Sequence, residues 1–253
     1  MSSRRRTRGD ENAASDPPGL SPRLAAVAEL VPCEARVVDI ASGHGLLPQW
    51  LLACRRARAC IATERDRQAA GRLRRPGRAS GVEIRVGDGL DALEPGDDVD
   101  VLVMAGLGAR SMLRILSAGV FDVGALHRLV LQPQTESGLL RRWLVERGRA
   151  IIDERLVVDR GRFYVVIAAE PANGTERPAH PRLGFDDLME AGPCLVRSGG
   201  PVVLRYWRRT ADRLEGVLAL STTGTGRARA RRGRDLARRV LAALEHEKGG
   251  RLL

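Results

Sequence analysis

Arg36-Val-Val-Asp-Ile-Ala-Ser-Gly-His-Gly-Leu-Leu-Pro48 decides the fold of this chain. Arg36 to Ile40 is a short apolar strand with an acid near its end. A tight turn carrying Gly43 and Gly45 comes next, and Leu46, Leu47, Trp50, Leu51 and Leu52 then mark the apolar face of a helix. Strand, glycine turn and helix in this order suit a nucleotide-type ligand lying over a helix N-terminus. Pro48 stands where the dinucleotide pattern has its third glycine, so the turn takes its meaning from the strands and acids spaced along the rest of the chain.

On the N-terminal side, Ser21-Pro22 opens a helix that carries Leu24, Val27 and Leu30 and ends at Pro32. On the C-terminal side, Ala59 to Thr63 is a second apolar run closed by Glu64, and Asp66 to Ala79 is an Arg-rich helix with a thin apolar face. Val82, Ile84 and Val86 alternate as a third strand and lead into Gly87-Asp88-Gly89-Leu90. Val99 to Met104 is the continuous apolar run of a central parallel strand. Gly106-Leu-Gly108 turns into a helix through Met112 and Leu116, and Leu126 to Leu131 is a fifth strand stopped by Pro133. After a helix over Ser137 to Arg147, Ile151 to Val158 and Phe163 to Ala169 form a hairpin around Asp159-Arg160-Gly161. Five strand–helix alternations and a hairpin predict a doubly wound parallel sheet with one antiparallel strand.

The remainder differs in pattern. Leu204, Trp207, Ala211, Leu214 and Leu218 fall at alternating spacings of three and four, as in a coiled-coil seam. Ser221 to Gly226 is a turn, and a second helix comes after it with Leu236, Val240 and Leu244 as its seam and arginines around it. The expected organisation is a disordered basic tail at 1–19, a Rossmann-like domain at 20–170, a linker at 171–181 and a helical basic arm at 182–253.

The chain has 253 residues, 43% of them hydrophobic, enough for one medium domain and an appendage. Its formal net charge is +11 and most of the basic residues are arginine, whose planar fork suits phosphate. A GC-rich genome would enrich arginine too, so the clustering on the arm matters more than the total. The four cysteines show no Cys-x-x-Cys spacing and the four histidines no His-Glu-x-x-His, so no metal site is expected. The cysteines are expected to be small buried residues of a reducing compartment. No apolar run reaches the roughly 18 residues of a membrane span, and the N-terminus lacks a secretion signal. A cytoplasmic location is therefore the expectation.

Rossmann-like enzymes that use S-adenosylmethionine share the strand–helix arrangement. They need a glycine turn, an acid after the second strand for the ribose hydroxyls and a polar group after the third strand near adenine. Asp39 with Gly43 and Gly45, then Glu64, then Asp88 stand at those places in order. Any one of them alone could be a strand-end acid capping the next helix.

The chain also resembles the bacterial tRNA (adenine-N1)-methyltransferases acting on adenine 22, the TrmK type. The resemblance rests on Ser21-Pro-Arg-Leu24 and the apolar helix behind it, on Asp39 to Pro48, and on Gly87-Asp-Gly-Leu90, Ala105-Gly-Leu-Gly108, Leu131-Gln-Pro133 and Gly192-Pro193. It implies an α/β fold, a Rossmann-like class I methyltransferase sheet with a C-terminal α-helical hairpin arm that binds tRNA, and S-adenosyl-L-methionine as cofactor. The implied cofactor contacts are Asp39, Gly43, Gly45, Glu64, Asp88, Gly89 and Gly106, and the implied phosphate contacts are Arg208, Arg227, Arg231, Arg234 and Arg238. His44 is the candidate for contact with cofactor or target base, and Gln132 and Gln134 are the candidates for reading a base edge. The chain departs from the family's Gly-Ser-Asp-His-Ala-Tyr-Leu-Pro turn at Gly43, Gly45 and Leu46. A catalytically impaired RNA-binding relative and a small-molecule methyltransferase therefore stand as alternatives. Removal of residues 205–253 is expected to weaken RNA binding.

Overall fold

A computed structural model describes residues 19–74, 81–118, 121–174, 177–220 and 224–250. Most of the predicted tail, the end of the Arg-rich helix beyond Arg74 and the first half of the Ser221–Gly226 turn lie outside them. The strands are β1 (Ala35–Ile40), β2 (Ala57–Glu64), β3 (Glu83–Val86), β4 (Val101–Leu107), β5 (Arg128–Pro133), β6 (Arg149–Asp159) and β7 (Arg162–Pro171). They form one sheet in the order β3-β2-β1-β4-β5-β7-β6. Pairings among β1 to β5 are parallel, and β7 runs antiparallel to both β5 and β6. The strand order reverses between β1 and β4, and such a switch point opens a crevice at the carboxyl edge of the sheet.

The central strands are apolar because both faces are covered. Val38, Ile40, Leu102 and Met104 pack on one side with α4 (Ala109–Leu116) and α5 (Ser137–Glu146). Val37, Val101 and Val103 pack on the other with α1 (Pro22–Leu30) and α2 (Leu46–Ala53). The predicted helix over Asp66 to Ala79 is represented by α3 (Arg67–Leu73), with the Asp66 side chain accepting the Ala69 N–H at 2.7 Å as its N-cap. The expectation that all four cysteines are buried is corrected: Cys60 and Cys194 are buried, whereas Cys33 and Cys54 are exposed in turns.

Beyond β7 come α6 (Phe185–Ala191), α7 (Pro193–Ser198), α8 (Pro201–Leu220) and α9 (Gly224–Gly250). The hairpin of α8 and α9 is the predicted arm, though Gly224 to Gly226 already belong to α9. Its proximal half is not free of the sheet. Leu204, Trp207, Val240 and Leu244 share a buried cluster with Leu156, Phe163 and Val165 of the β6–β7 hairpin. A buried ion pair fastens the junction. Arg141 of α5 donates to Glu154 of β6 at 2.6 Å and to the Met189 carbonyl at 2.7 Å, and the Cys194 N–H donates to Glu154 at 3.0 Å. Cutting the chain at residue 205 would therefore strip part of the core as well as the arm.

Candidate active site

The site grows from the turn after β1. Ala41, Gly43 and Gly45 all adopt positive φ, at 56°, 63° and 67°. Nothing lies within 4 Å of a Cβ built on Gly43, so backbone angle rather than space favours glycine there. Gly45 caps α2 with no side-chain hydrogen bond, which leaves the first N–H groups of the helix open. Beneath the turn is a cavity of about 230 Å³ lined by Arg23, Asp39, Ser42, Gly43, His44, Leu46 and Ala105, among others. It lies at the β1–β4 crevice that the topology predicts.

Three acids reach this edge. Asp39 lines the cavity and is 4% exposed. Burial raises its pKa from 3.8 to about 7, the Ser42 hydroxyl donating to it at 2.6 Å pulls the other way, and the charge of Glu64 adds to the rise. Glu64, the last residue of β2, accepts the Gly43 N–H at 2.7 Å and so ties the second strand to the turn. Asp88 comes after β3, where the Gly87 N–H donates to the Glu64 carbonyl at 3.0 Å. Asp88 is outside the cavity wall, and its carboxylate faces the Arg114 guanidinium at 3.4 Å. The set thus gathers Asp39, Glu64 and the turn closely, with Asp88 one strand further along. Gly89 adopts φ 66° and is buried against Ile115, which a Cβ there would meet at 2.8 Å, so backbone angle and packing both favour glycine.

The candidates for base contact separate. His44 lines the cavity and is exposed. Gln132 is fully buried, with its carbonyl accepting from Arg23 Nη1 at 2.6 Å and its amide donating to the Pro133 carbonyl at 2.9 Å. Both ends of its side chain are engaged within the protein, and Gln132 holds Arg23 in the cavity wall. Gln134 is exposed, and Gly106, at φ 86°, stands between it and Arg23: a Cβ on Gly106 would be 3.7 Å from each. Arg23 itself belongs to the Ser21-Pro-Arg-Leu24 motif, but its place in the cavity wall is visible only in the structure. The one signal in the sequence is a lone cation in the first turn of a helix whose other residues, apart from Glu29, are apolar.

The arm arginines divide in the same way. Arg234 pairs with Asp235 at 2.7 Å and Arg238 with Glu215, so both are engaged within the hairpin. Arg208 sits on α8 beside Arg205 and Arg209, 4.0 Å from Glu245, with both partners well exposed. Arg231 is exposed, and Arg227 donates to the Leu218 carbonyl at 3.2 Å. Arg205, Arg208 and Arg209 of α8 are thus exposed cations as Arg231 of α9 is. Among the described residues no three His, Cys, Asp or Glu side chains gather as metal ligands would, and no helix is long and apolar enough to cross a membrane.

Residues 20–167 match the methyltransferase domain family. The chain is 31% identical over 202 residues to the tRNA (adenine(22)-N(1))-methyltransferase of Bacillus subtilis, covering 78% of this chain and 84% of that one. It is similar to the crystal structure of the B. subtilis m1A22 tRNA methyltransferase TrmK, with a TM-score of 0.74, 28% identity and coverage of 88% of this chain and 99% of that one. It is also similar to Streptococcus pneumoniae Sp1610 in complex with S-adenosyl-L-methionine, with a TM-score of 0.75, 28% identity and coverage of 88% and 100%.

Proposed function

The chain belongs to the tRNA (adenine(22)-N(1))-methyltransferases of the methyltransferase domain family, and from that premise we propose that it transfers a methyl group from S-adenosyl-L-methionine to N1 of adenine 22 in tRNA. The observation that carries the reading is the cavity at the switch point, lined by Asp39 and by the Gly43 turn that Glu64 ties to the second strand. A cationic ligand fits this wall: Asp39 is buried in it with the charge of Glu64 nearby, its pKa is raised to about 7, and a positive charge there would favour its ionised form.

S-adenosyl-L-methionine supplies an electrophilic methyl group on a sulfonium. Asp39 and the turn hold its amino-acid end in this reading, Glu64 takes the ribose hydroxyls, and Asp88 lies on the adenine side. Leu24, Leu46 and Leu47 close the cavity with apolar surface and limit the access of water. The N1 lone pair of neutral adenine is free near pH 7, so the chain has no need of a strong base before attack. Alignment is the main task. His44 and Gln134, at the mouth, are the side chains proposed to orient the base. N1 lies on the pairing edge, so the target adenine must leave its stack. Arg208, Arg227 and Arg231 are proposed to hold phosphates, which give affinity with little sequence information. A tRNA substrate also implies a cytoplasmic enzyme.

Incubation of unmodified total tRNA with radiolabelled S-adenosylmethionine, followed by nucleoside analysis, tests the proposal. Label in 1-methyladenosine is the expected result. Tight tRNA binding with no label would favour the impaired relative, to which the departures at Gly43 and Leu46 point. Label on a small compound in the absence of RNA would favour the small-molecule methyltransferase.

A further inference from the structure

The loop after β5 leads from the cavity to the arm. The Gln134 N–H donates to the Leu107 carbonyl at 2.8 Å, and a Cβ on Gly108 would be 3.5 Å from the Thr135 hydroxyl. The loop thus runs beside the turn that carries the cavity-lining Ala105 into α4. Glu136, the next residue, has φ 53°, a left-handed angle uncommon outside glycine. Its carboxylate accepts Nε and Nη2 of Arg110, the second residue of α4, both at 3.0 Å. That hydrogen bonding holds the Glu136 carboxyl below its ordinary value, and the charge of Arg229, near the start of α9, adds to the effect. Arg229 therefore brings the outer half of the arm to this rim. Arg110, Glu136 and Arg229 are all exposed. An ion pair so exposed adds little to the stability of the fold, yet it sits on a residue at an unfavourable backbone angle. Its geometry is a guanidinium fork around a two-oxygen anion, which is also how arginine takes phosphate.

We propose that Arg110 and Arg229 grip a phosphodiester next to the target adenine, with Glu136 occupying the fork until the RNA displaces it. This rests on the tRNA reading above and names the point at which the arm and the methyltransferase domain hold the same stretch of backbone. In that reading the base enters past Gln134, and the sugar–phosphate chain then passes two residues further on, at Glu136. A phosphodiester presents two free oxygens that share its charge, as the Glu136 carboxylate does, so it suits the same two donors. One cation comes from α4 and the other from α9, so RNA lying on the arm alone meets only one of them. A latch that fixes the arm without touching RNA is the other use of these charges; the left-handed angle of Glu136 and its place beside Gln134 favour the phosphate.

Two tRNAs joined from synthetic pieces, with an uncharged methylphosphonate on the 5′ or the 3′ side of adenine 22, separate the cases when compared with all-phosphate tRNA in steady-state methyl transfer by the full chain. One of the two linkages is expected to cost wild type about tenfold in kcat/KM, as loss of a charged hydrogen-bond partner implies. The Arg110→Ala/Arg229→Ala double variant is expected to lose less than about twofold on that linkage relative to its own all-phosphate value, with each single variant in between. Glu136→Gln, which removes the competing charge from the fork, is expected to raise kcat/KM on all-phosphate tRNA by about two- to fivefold. KM for S-adenosylmethionine is expected to stay at its wild-type value in every variant. The assignment is overturned if neither linkage costs wild type anything, or if the double variant loses as much as wild type. A loss of activity in Glu136→Gln overturns it in favour of the latch. If wild type methylates none of the three tRNAs, the reading of the function itself fails, and this is distinguishable because the all-phosphate tRNA is then inert as well.

Discussion

Asp39→Asn separates the role of this carboxylate in the fold from its role in the site. The folded protein holds the Asp39 proton up to about pH 7, whereas the ordinary value is 3.8. A group whose pKa is raised by folding contributes stability that is full below 3.8 and is lost as the pH rises through about 7. The gap corresponds to a ceiling of about 4 kcal/mol at roughly 1.4 kcal/mol per pH unit, and relaxation around the buried charge brings the expected effect to about 2–4 kcal/mol. Asparagine keeps the shape and an acceptor for Ser42 but cannot ionise. Urea denaturation of both proteins from about pH 4.5 to about pH 8 measures the difference. The variant is expected to gain about 2–4 kcal/mol relative to wild type across that range, while losing at least roughly tenfold in affinity for S-adenosylmethionine. The pH dependence of the difference is the decisive quantity, since any fixed penalty for burying the extra amide hydrogen cancels from it. A difference independent of pH would refute the reasoning, because Asp39 would then ionise equally easily in the folded and unfolded chain. For the same reason, cofactor binding to wild type at about pH 6 is expected to release a proton into the buffer.

Glu154→Gln leaves Arg141 buried without a counter-charge and is expected to cost about 3–5 kcal/mol, read as a lower midpoint in urea; an unchanged midpoint would show that the pair does not fasten the junction. Replacing Arg208 and Arg231 together with alanine is expected to weaken tRNA binding and to reduce the slope of log K against log salt by about two, one for each phosphate contact; an unchanged slope removes both from the interface. Gly43→Asp restores the family's residue at a position with φ 63° and open space around it. It is expected to cost about 1 kcal/mol of stability, seen in thermal melting, while retaining cofactor binding; loss of binding would mean that the turn of this chain depends on glycine.

The sheet is legible in the sequence because its signals are local. Val99 to Met104 is apolar on both faces, as only a central strand needs to be, and the turn glycines sit at backbone angles that side chains avoid. Asp39 and Glu64 are legible as acids at strand ends, which parallel topology brings to one edge. Pairings made over long distances are not. Arg23 and Gln132 meet across 109 residues, and nothing in the period of α1 announces the partner. A glutamine after a strand end often faces solvent, which makes Gln132 look like a reader of the base, whereas Arg23 and Pro133 occupy it here. The α9 arginines look alike as phosphate ligands, although Asp235 and Glu215 claim two of them. The short helices α6 and α7 leave no clear pattern, since seven and six residues are too few to show a period.

Two transcripts of one tRNA, identical except for adenine or guanine at position 22, test the central claim most directly. With radiolabelled S-adenosylmethionine, about one methyl group per molecule is expected on the adenine transcript, recovered as 1-methyladenosine, and none on the guanine transcript. Equal labelling of the two, or no labelling of either by protein that binds both, would contradict it.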